Sequence, residues 1–159
     1  MWGVRASSLI RGTWHITQML APVRPILRAL AATVAPDAVR LDERGWLELE
    51  AVVERALGDR PASMQRQFVL FLRLLEFAPR FRHGRAFSAL SPERRARVVA
   101  ELQKSRVLLL RRGIWGARTL VFMGYYSRPE VQAALGYRAS AGGWASRLAD
   151  GVRAGVEAR

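Results

Sequence analysis

Apolar side chains recur every three to four residues along much of this chain, the spacing of one face of an α-helix. The first such stripe follows Pro25, a residue suited to the first turn of a helix, and it ends at Pro36. A second stripe occupies residues 46–57 and stops at Gly58. Both patterns predict amphipathic helices that pack one face against a core.

The third segment, residues 64–77, is apolar nearly all round, and we expect it to be the most buried helix. Ser91 before Pro92 marks a further helix start, because the serine hydroxyl caps the first turn and proline has no N–H there to leave unpaired. A short helix should then end before Gly136. No useful stretch alternates with the period of two that a strand needs. We therefore predict an all-α, single-domain bundle of about five or six helices.

Three regions follow from composition along the chain. Residues 1–24 are basic and acid-free, and they form either an amphipathic segment or a targeting peptide. Residues 25–137 form the helical domain, and residues 138–159 form a C-terminal tail that we expect to be flexible. Residues 107–126 are long and apolar enough to raise the question of a membrane span, but three arginines argue against one: Arg111, Arg112 and Arg118.

The charge is strongly positive, with a formal net charge of +13. Such a balance favours anionic partners, although an arginine-rich composition is also a habit of genomes rich in G and C. Acidic residues concentrate in residues 37–60, so the helix at about 44–57 either docks on the basic half of the chain or presents a solvated face.

Four cations in the second half are spaced by seven residues: Arg97, Lys104, Arg111 and Arg118. If one helix carries them all, they form a basic ridge about 31 Å long. The ridge would dock on an acidic protein or follow a phosphate backbone, unless it is only a solvated face.

The sequence contains no recognisable catalytic, metal-binding or phosphate-binding motif. There is no cysteine, which excludes disulfides and thiolate-bound metals, and the two histidines lie far apart. Gly113 and Gly116 do not indicate a phosphate-binding loop, because no predicted strand precedes them. Within a helix, they predict either a bend or the close approach of a neighbouring element. We therefore predict that the chain is not an enzyme, has no catalytic residues and binds no metal or cofactor itself.

Residues 25–137 resemble the gluconate 2-dehydrogenase subunit 3 family, most specifically over the last fifty of them. The resemblance is carried by a helix ending at Pro36 and by short matches along the later chain: Phe87-Ser-x-Leu90, Tyr125-Tyr126-Ser127, Pro129-Glu130-Val131 and Leu135-Gly136-Tyr137. It departs from the family at Gln132, where tryptophan is usual, and no twin-arginine leader precedes it.

The resemblance implies an accessory subunit that binds and matures a large flavin-dependent dehydrogenase of the glucose-methanol-choline type. FAD and catalysis would then belong to the partner, and the candidate interface anchors are aromatic: Trp115, Tyr125, Tyr126 and Tyr137. The resemblance implies that the protein is located in the periplasm. The residues themselves leave cytoplasmic and membrane-associated locations open. The alternative function is a basic helical module for nucleic acid or an anionic membrane.

Overall fold

The computed structural model describes residues 19–136 and confirms the all-α class. No strand occurs within these residues. The chain divides into two compact units, Met1–Arg128 and Pro129–Arg159, so the second unit begins inside the predicted helical domain. The predictions for residues 1–18, for Tyr137 and for the tail at 138–159 lie outside the described residues.

Six α-helices form the described part of the first unit: α1 (Arg24–Val34), α2 (Glu43–Gly58), α3 (Ala62–Phe77), α4 (Arg80–His83), α5 (Pro92–Gln103) and α6 (Leu108–Tyr126). Short 3-10 segments join them at Ala21–Val23, Pro36–Arg40 and Phe87–Ala89. In the second unit, α7 spans Pro129–Ala134 and ends before Gly136, as predicted.

Side-chain caps fix two of the helix starts. The backbone N–H of Arg94 donates to the Ser91 hydroxyl at 3.5 Å, and α5 begins at the next residue, Pro92, as the sequence predicts. At α2 the backbone N–H of Gly45 donates to the Asp42 carboxylate at 2.8 Å. This second cap was not predicted from the sequence, although aspartate before a helical stripe is a favourable N-cap.

Helix α1 lies at the centre of the first unit. It contacts α3, α5, α6 and the 3-10 segment at Phe87. Leu27 and Leu30 are completely buried, as are Leu49 of α2, Leu72 of α3 and Ile114 of α6. The core is therefore built around a helix that the sequence marks only as amphipathic.

The prediction that α3 is the most buried helix is wrong. Only Phe68, Leu72 and Leu75 of this helix are buried, whereas Leu70 and Phe77 are half or more exposed. The α3 face that meets α1, α2 and α6 is covered, and the opposite face is apolar but exposed. An apolar helix surface predicts burial only when another element packs on each of its sides.

Two carboxylates of α2 are buried beside α1, so the acidic helix is partly docked and not simply solvated. Glu50 is 2% exposed, and its Oε1 accepts from Arg28 Nε at 2.6 Å. Arg24 Nε lies 2.9 Å from Glu50 Oε2, an ion pair whose angle does not make a hydrogen bond. Arg28 also donates to Glu43 through both terminal nitrogens, at 2.9 and 2.7 Å. This network joins the acidic helix to the central helix.

Glu54, one helical turn beyond Glu50, has a buried Oε1 with no hydrogen-bond partner within residues 19–136. Burial raises the pKa of Glu54 above its usual value, with Arg24 acting against this shift and Glu50 adding to it. The raised pKa means that the folded state binds the Glu54 proton more tightly than the unfolded state does. The free energy of unfolding therefore increases as the pH falls through the raised pKa. Above that pH, the charged Glu54 opposes folding.

We therefore expect Glu54→Gln to raise the melting temperature at neutral pH, since glutamine keeps the shape without the buried charge. The gain should shrink as the pH falls, because the native carboxyl becomes neutral too. Thermal unfolding of both proteins across the acidic range measures this difference. A gain that stays constant with pH would contradict the assignment to Glu54 ionisation.

Candidate protein-interaction surface

Helix α6 has one buried and one exposed face. Ile114, Ala117 and Val121 recur at three- and four-residue spacing and are completely buried. The buried face packs on α1, α2, α3 and α5, so the opposite face is turned away from the core.

Four side chains of the exposed side form a continuous row: Trp115, Arg118, Phe122 and Tyr126. The Arg118 guanidinium carbon lies 5.0 Å from the Trp115 ring centroid and 5.3 Å from that of Phe122. The Phe122 and Tyr126 rings follow at 5.7 Å, tilted by 52°. Their spacing of three or four residues stacks each side chain over the next along a helix. We call these four residues the aromatic row.

The aromatic row holds a charge that has no counter-ion among the residues that the structure describes. Arg118 forms no ion pair with any residue from 19 to 136, and its Nε is buried without a hydrogen-bond partner there. The two rings favour the cation by about 0.5–1 kcal/mol at an exposed site. The guanidinium lies close to both rings, and its planar fork of N–H groups can donate hydrogen bonds to a carboxylate of another molecule.

The candidate aromatic anchors differ in their exposure to solvent. Trp115 is 52% exposed and Tyr126 is 44% exposed, and Met123 beside them is also about half exposed. Tyr125 is 9% exposed, so it belongs to the core and cannot serve as a partner contact on this surface. Its burial raises the pKa of its phenol above the usual value. Because neighbours on a helix point in directions 100° apart, Tyr126 is exposed while Tyr125 is not.

The predicted basic ridge would need one continuous helix, but two separate helices cover this part of the chain. Helix α5 ends at Gln103, Lys104 is its C-cap, and α6 starts at Leu108. At the break the backbone N–H of Val107 donates to the Ser105 hydroxyl at 3.1 Å, and Val107 is extended. Serine side chains compete in this way with the helical hydrogen bonds.

The four predicted ridge cations are therefore distributed over two helices and their junction. Arg97 is exposed on α5, Lys104 is exposed at the end of that helix, and Arg111 is exposed in the first turn of α6. Arg118 belongs to the aromatic row instead. From the sequence, Arg118 was assigned to the basic ridge and the aromatic residues to a separate group, although their shared spacing of three or four residues could have joined them.

Other kinds of site were sought in the same part of the chain. Residues 19–136 hold no group of three or more His, Cys, Asp or Glu side chains placed to bind a metal. No helix among them is long and apolar enough to cross a membrane. An open groove of about 420 Å³ runs along α3, lined mainly by Met19, Gln65, Arg66, Val69, Leu70 and Arg73.

The fold and this surface define a small all-α protein that exposes an aromatic and cationic helix face. Searches of protein-family models, of curated proteins and of solved structures find no match to this chain.

Proposed function

We propose that this chain is a non-catalytic small subunit that binds and stabilises a larger FAD-dependent oxidoreductase of the glucose-methanol-choline type. The resemblance of residues 87–137 to accessory subunits of such enzymes supports the kind of partner. The exposed aromatic row on α6 supports the binding role, and it is the observation that carries the proposal. FAD and the reaction itself belong to the partner in this proposal.

The composition of the aromatic row is that of a protein interface. Aromatic residues, Met and Arg are enriched at interface cores, and Trp, Tyr and Arg dominate the binding energy. A rigid row on a helix also loses little conformational entropy when it binds. A stable heterodimer buries at least about 1,200 Å² in total, so the row would form the centre of a larger contact.

Charge indicates what the partner should present opposite the row. Arg118 has no counter-ion within the described residues, and Arg111 and Arg112 are exposed on the same helix. A partner carboxylate that meets the stacked guanidinium would form a charge-assisted, two-pronged hydrogen bond. The partner surface should therefore combine an apolar pocket for Trp115 with an acidic residue for Arg118.

Co-purification tests the proposal. The tagged full chain, isolated from its native host at near-physiological salt, should bring down a large protein whose absorbance spectrum shows bound flavin. A colourless preparation that carries nucleic acid, removed by salt, would overturn the proposal and favour a basic nucleic-acid-binding module.

We expect Trp115→Ala to weaken the affinity for that flavoprotein about tenfold, or ~1.4 kcal/mol, because it removes an aromatic anchor. Val39→Ala is the matched control, since Val39 is also exposed and apolar but lies in the 3-10 segment Pro36–Arg40. Binding is measured by surface plasmon resonance, and unchanged circular dichroism shows that the fold is intact. Equal affinities of the two variants would exclude the aromatic row as the contact.

Arg118→Lys separates recognition by geometry from attraction by charge. Lysine keeps the positive charge but loses the planar fork and its stacking between the rings. This variant should therefore bind more weakly than the native chain while its salt dependence stays the same.

A further inference from the structure

We propose that the first unit also docks on anionic lipid surfaces, through a patch at the end of α3 and in α4 that is separate from the aromatic row. The patch consists of Leu70, Leu74, Phe77 and Phe81, with arginines around them. This inference does not depend on the identity of the protein partner. It rests on the exposure, chemistry and charge of the patch.

The apolar residues of the patch protrude from the protein. Leu70, Leu74 and Phe77 lie on one face of α3, spaced by four and three residues, and each is about half exposed or more. Phe81 is 93% exposed on the four-residue helix α4. A single exposed apolar side chain is ordinary, whereas a group of them rimmed by polar residues marks an interaction site.

Arginines surround these side chains. Arg66 and Arg73 lie on the exposed side of α3, and Arg80, Arg82 and Arg85 follow around Phe81. Arg80 stacks on the Phe77 ring, with its guanidinium carbon 4.7 Å from the ring centroid. Within residues 19–136, Arg82 alone of these five forms an ion pair, with Glu101 at 3.1 Å.

One exposed carboxylate reaches this surface from another helix: Glu101 of α5, with a side chain that is 60% exposed, pairs with Arg82. Glu76 is the only acid between residues 62 and 85, and its oxygens accept hydrogen bonds from the Ser88 backbone N–H and hydroxyl, at 3.0 and 2.6 Å. The five arginines outnumber these two carboxylates, so the patch combines exposed apolar side chains with a net positive charge. Apolar insertion together with attraction to anionic headgroups is how a protein face binds the membrane interface without spanning it.

Shape and charge favour lipid over the other occupants. The groove along α3 includes Leu70 and Arg73 of the patch, but Leu74, Phe77 and Phe81 do not line it. Phe81 is 93% exposed, so its ring projects from the surface. Fluid lipid can surround projecting rings, whereas a protein partner would need a matching pocket. A second copy of this chain would bring the same arginines against each other, which opposes self-association through this patch.

Vesicle sedimentation with the full chain tests the proposal. The protein should bind vesicles of equal parts phosphatidylcholine and phosphatidylglycerol at about 0.15 M ionic strength, and not vesicles of phosphatidylcholine alone. Phe81→Ser should weaken binding about tenfold because it removes the inserted ring. Arg85→Gln should weaken binding about fivefold, the contribution of one cation near an anionic surface.

Matched variants control each change. Val39→Ser removes an apolar side chain that is 70% exposed elsewhere, and Arg97→Gln removes one exposed charge on α5, so both should bind like the native chain. Phe81 makes few contacts, so Phe81→Ser should keep the native melting temperature.

Three results would overturn the proposal. The first is equal binding by Phe81→Ser and Val39→Ser. The second is loss of binding on Arg5→Gln with Arg11→Gln but not on Phe81→Ser, which would assign the lipid contact to the N-terminal segment. The third is binding to an acidic polypeptide such as polyglutamate but to no vesicle, which would assign the patch to a protein partner. None of these results concerns the flavoprotein, so the two proposals fail separately.

Discussion

Replacing Glu50 with alanine should lower the free energy of unfolding by about 3 kcal/mol, the largest loss we expect from a single polar substitution here. Glu50 is 2% exposed and lies against two arginines of the central helix, Arg24 and Arg28. Without the carboxylate, both guanidinium groups keep their charge but lose this partner. The side chains of Arg24 and Arg28 are 34% and 25% exposed, so water compensates in part. The estimate is therefore at the low end for a buried ion pair.

Urea unfolding measures this loss, and two variants make it specific. Glu50→Gln keeps the shape and one acceptor oxygen, so it should lose less than Glu50→Ala. Glu101→Ala removes the carboxylate that pairs with Arg82 at 3.1 Å, and both of these side chains are more than half exposed. An exposed pair contributes about 0–1 kcal/mol. If Glu101→Ala and Glu50→Ala lose equal stability, the buried network does not join α1 and α2 as described.

The second large effect is expected from one added methyl group, Gly124→Ala on α6. An added Cβ would lie 2.9 Å from both the Cγ and the carbonyl oxygen of Leu49, a fully buried residue of α2. The carbonyl belongs to a helix backbone and cannot rotate away, so the two helices must separate. We expect a loss of about 2 kcal/mol, the cost of overpacking a tight core.

Gly116→Ala, on the same helix, should change stability in the opposite direction. Among residues 19–136, no atom outside its own stretch of helix backbone lies within 4 Å of a Cβ added there, and Gly116 is exposed. Alanine is favoured over glycine in a helix by about 0.8–1.0 kcal/mol, so this variant should be more stable than the native chain. Chemical denaturation of the two variants should thus give shifts of opposite sign. Shifts of the same sign would contradict the close approach of α6 to α2.

Local signals predicted many of the helices correctly. Pro25 near the start of α1, Gly58 at the end of α2 and Ser91 before α5 each act on the backbone within a few residues. A local signal at Ser105 also interrupts the single helix that the basic ridge would have needed. The Ser105 hydroxyl accepts from Val107 and the helix ends at Gln103, although the apolar pattern continues beyond that point.

The candidate interaction surface could be identified only from the sequence and the tertiary packing together. The sequence marks Trp115, Tyr125 and Tyr126 as a group because aromatic residues cluster there. Only the packing of α6 on α2 decides that Tyr125 faces the core while Tyr126 and Trp115 remain exposed. The same packing brings Arg118 between two rings, a contact that its position among regularly spaced cations did not indicate.

By itself, the sequence determined the all-α class, the residues at which several helices begin or end, and the excess of positive charge. Those properties depend on neighbours along the chain and on composition. The tertiary structure decided which apolar faces are covered: α1 became the central helix, and α3 kept an exposed apolar side. It also decided that Glu50 and Glu54 are buried on a helix that reads as a charged surface. Burial depends on what packs against each face, and residues distant in the sequence supply that contact.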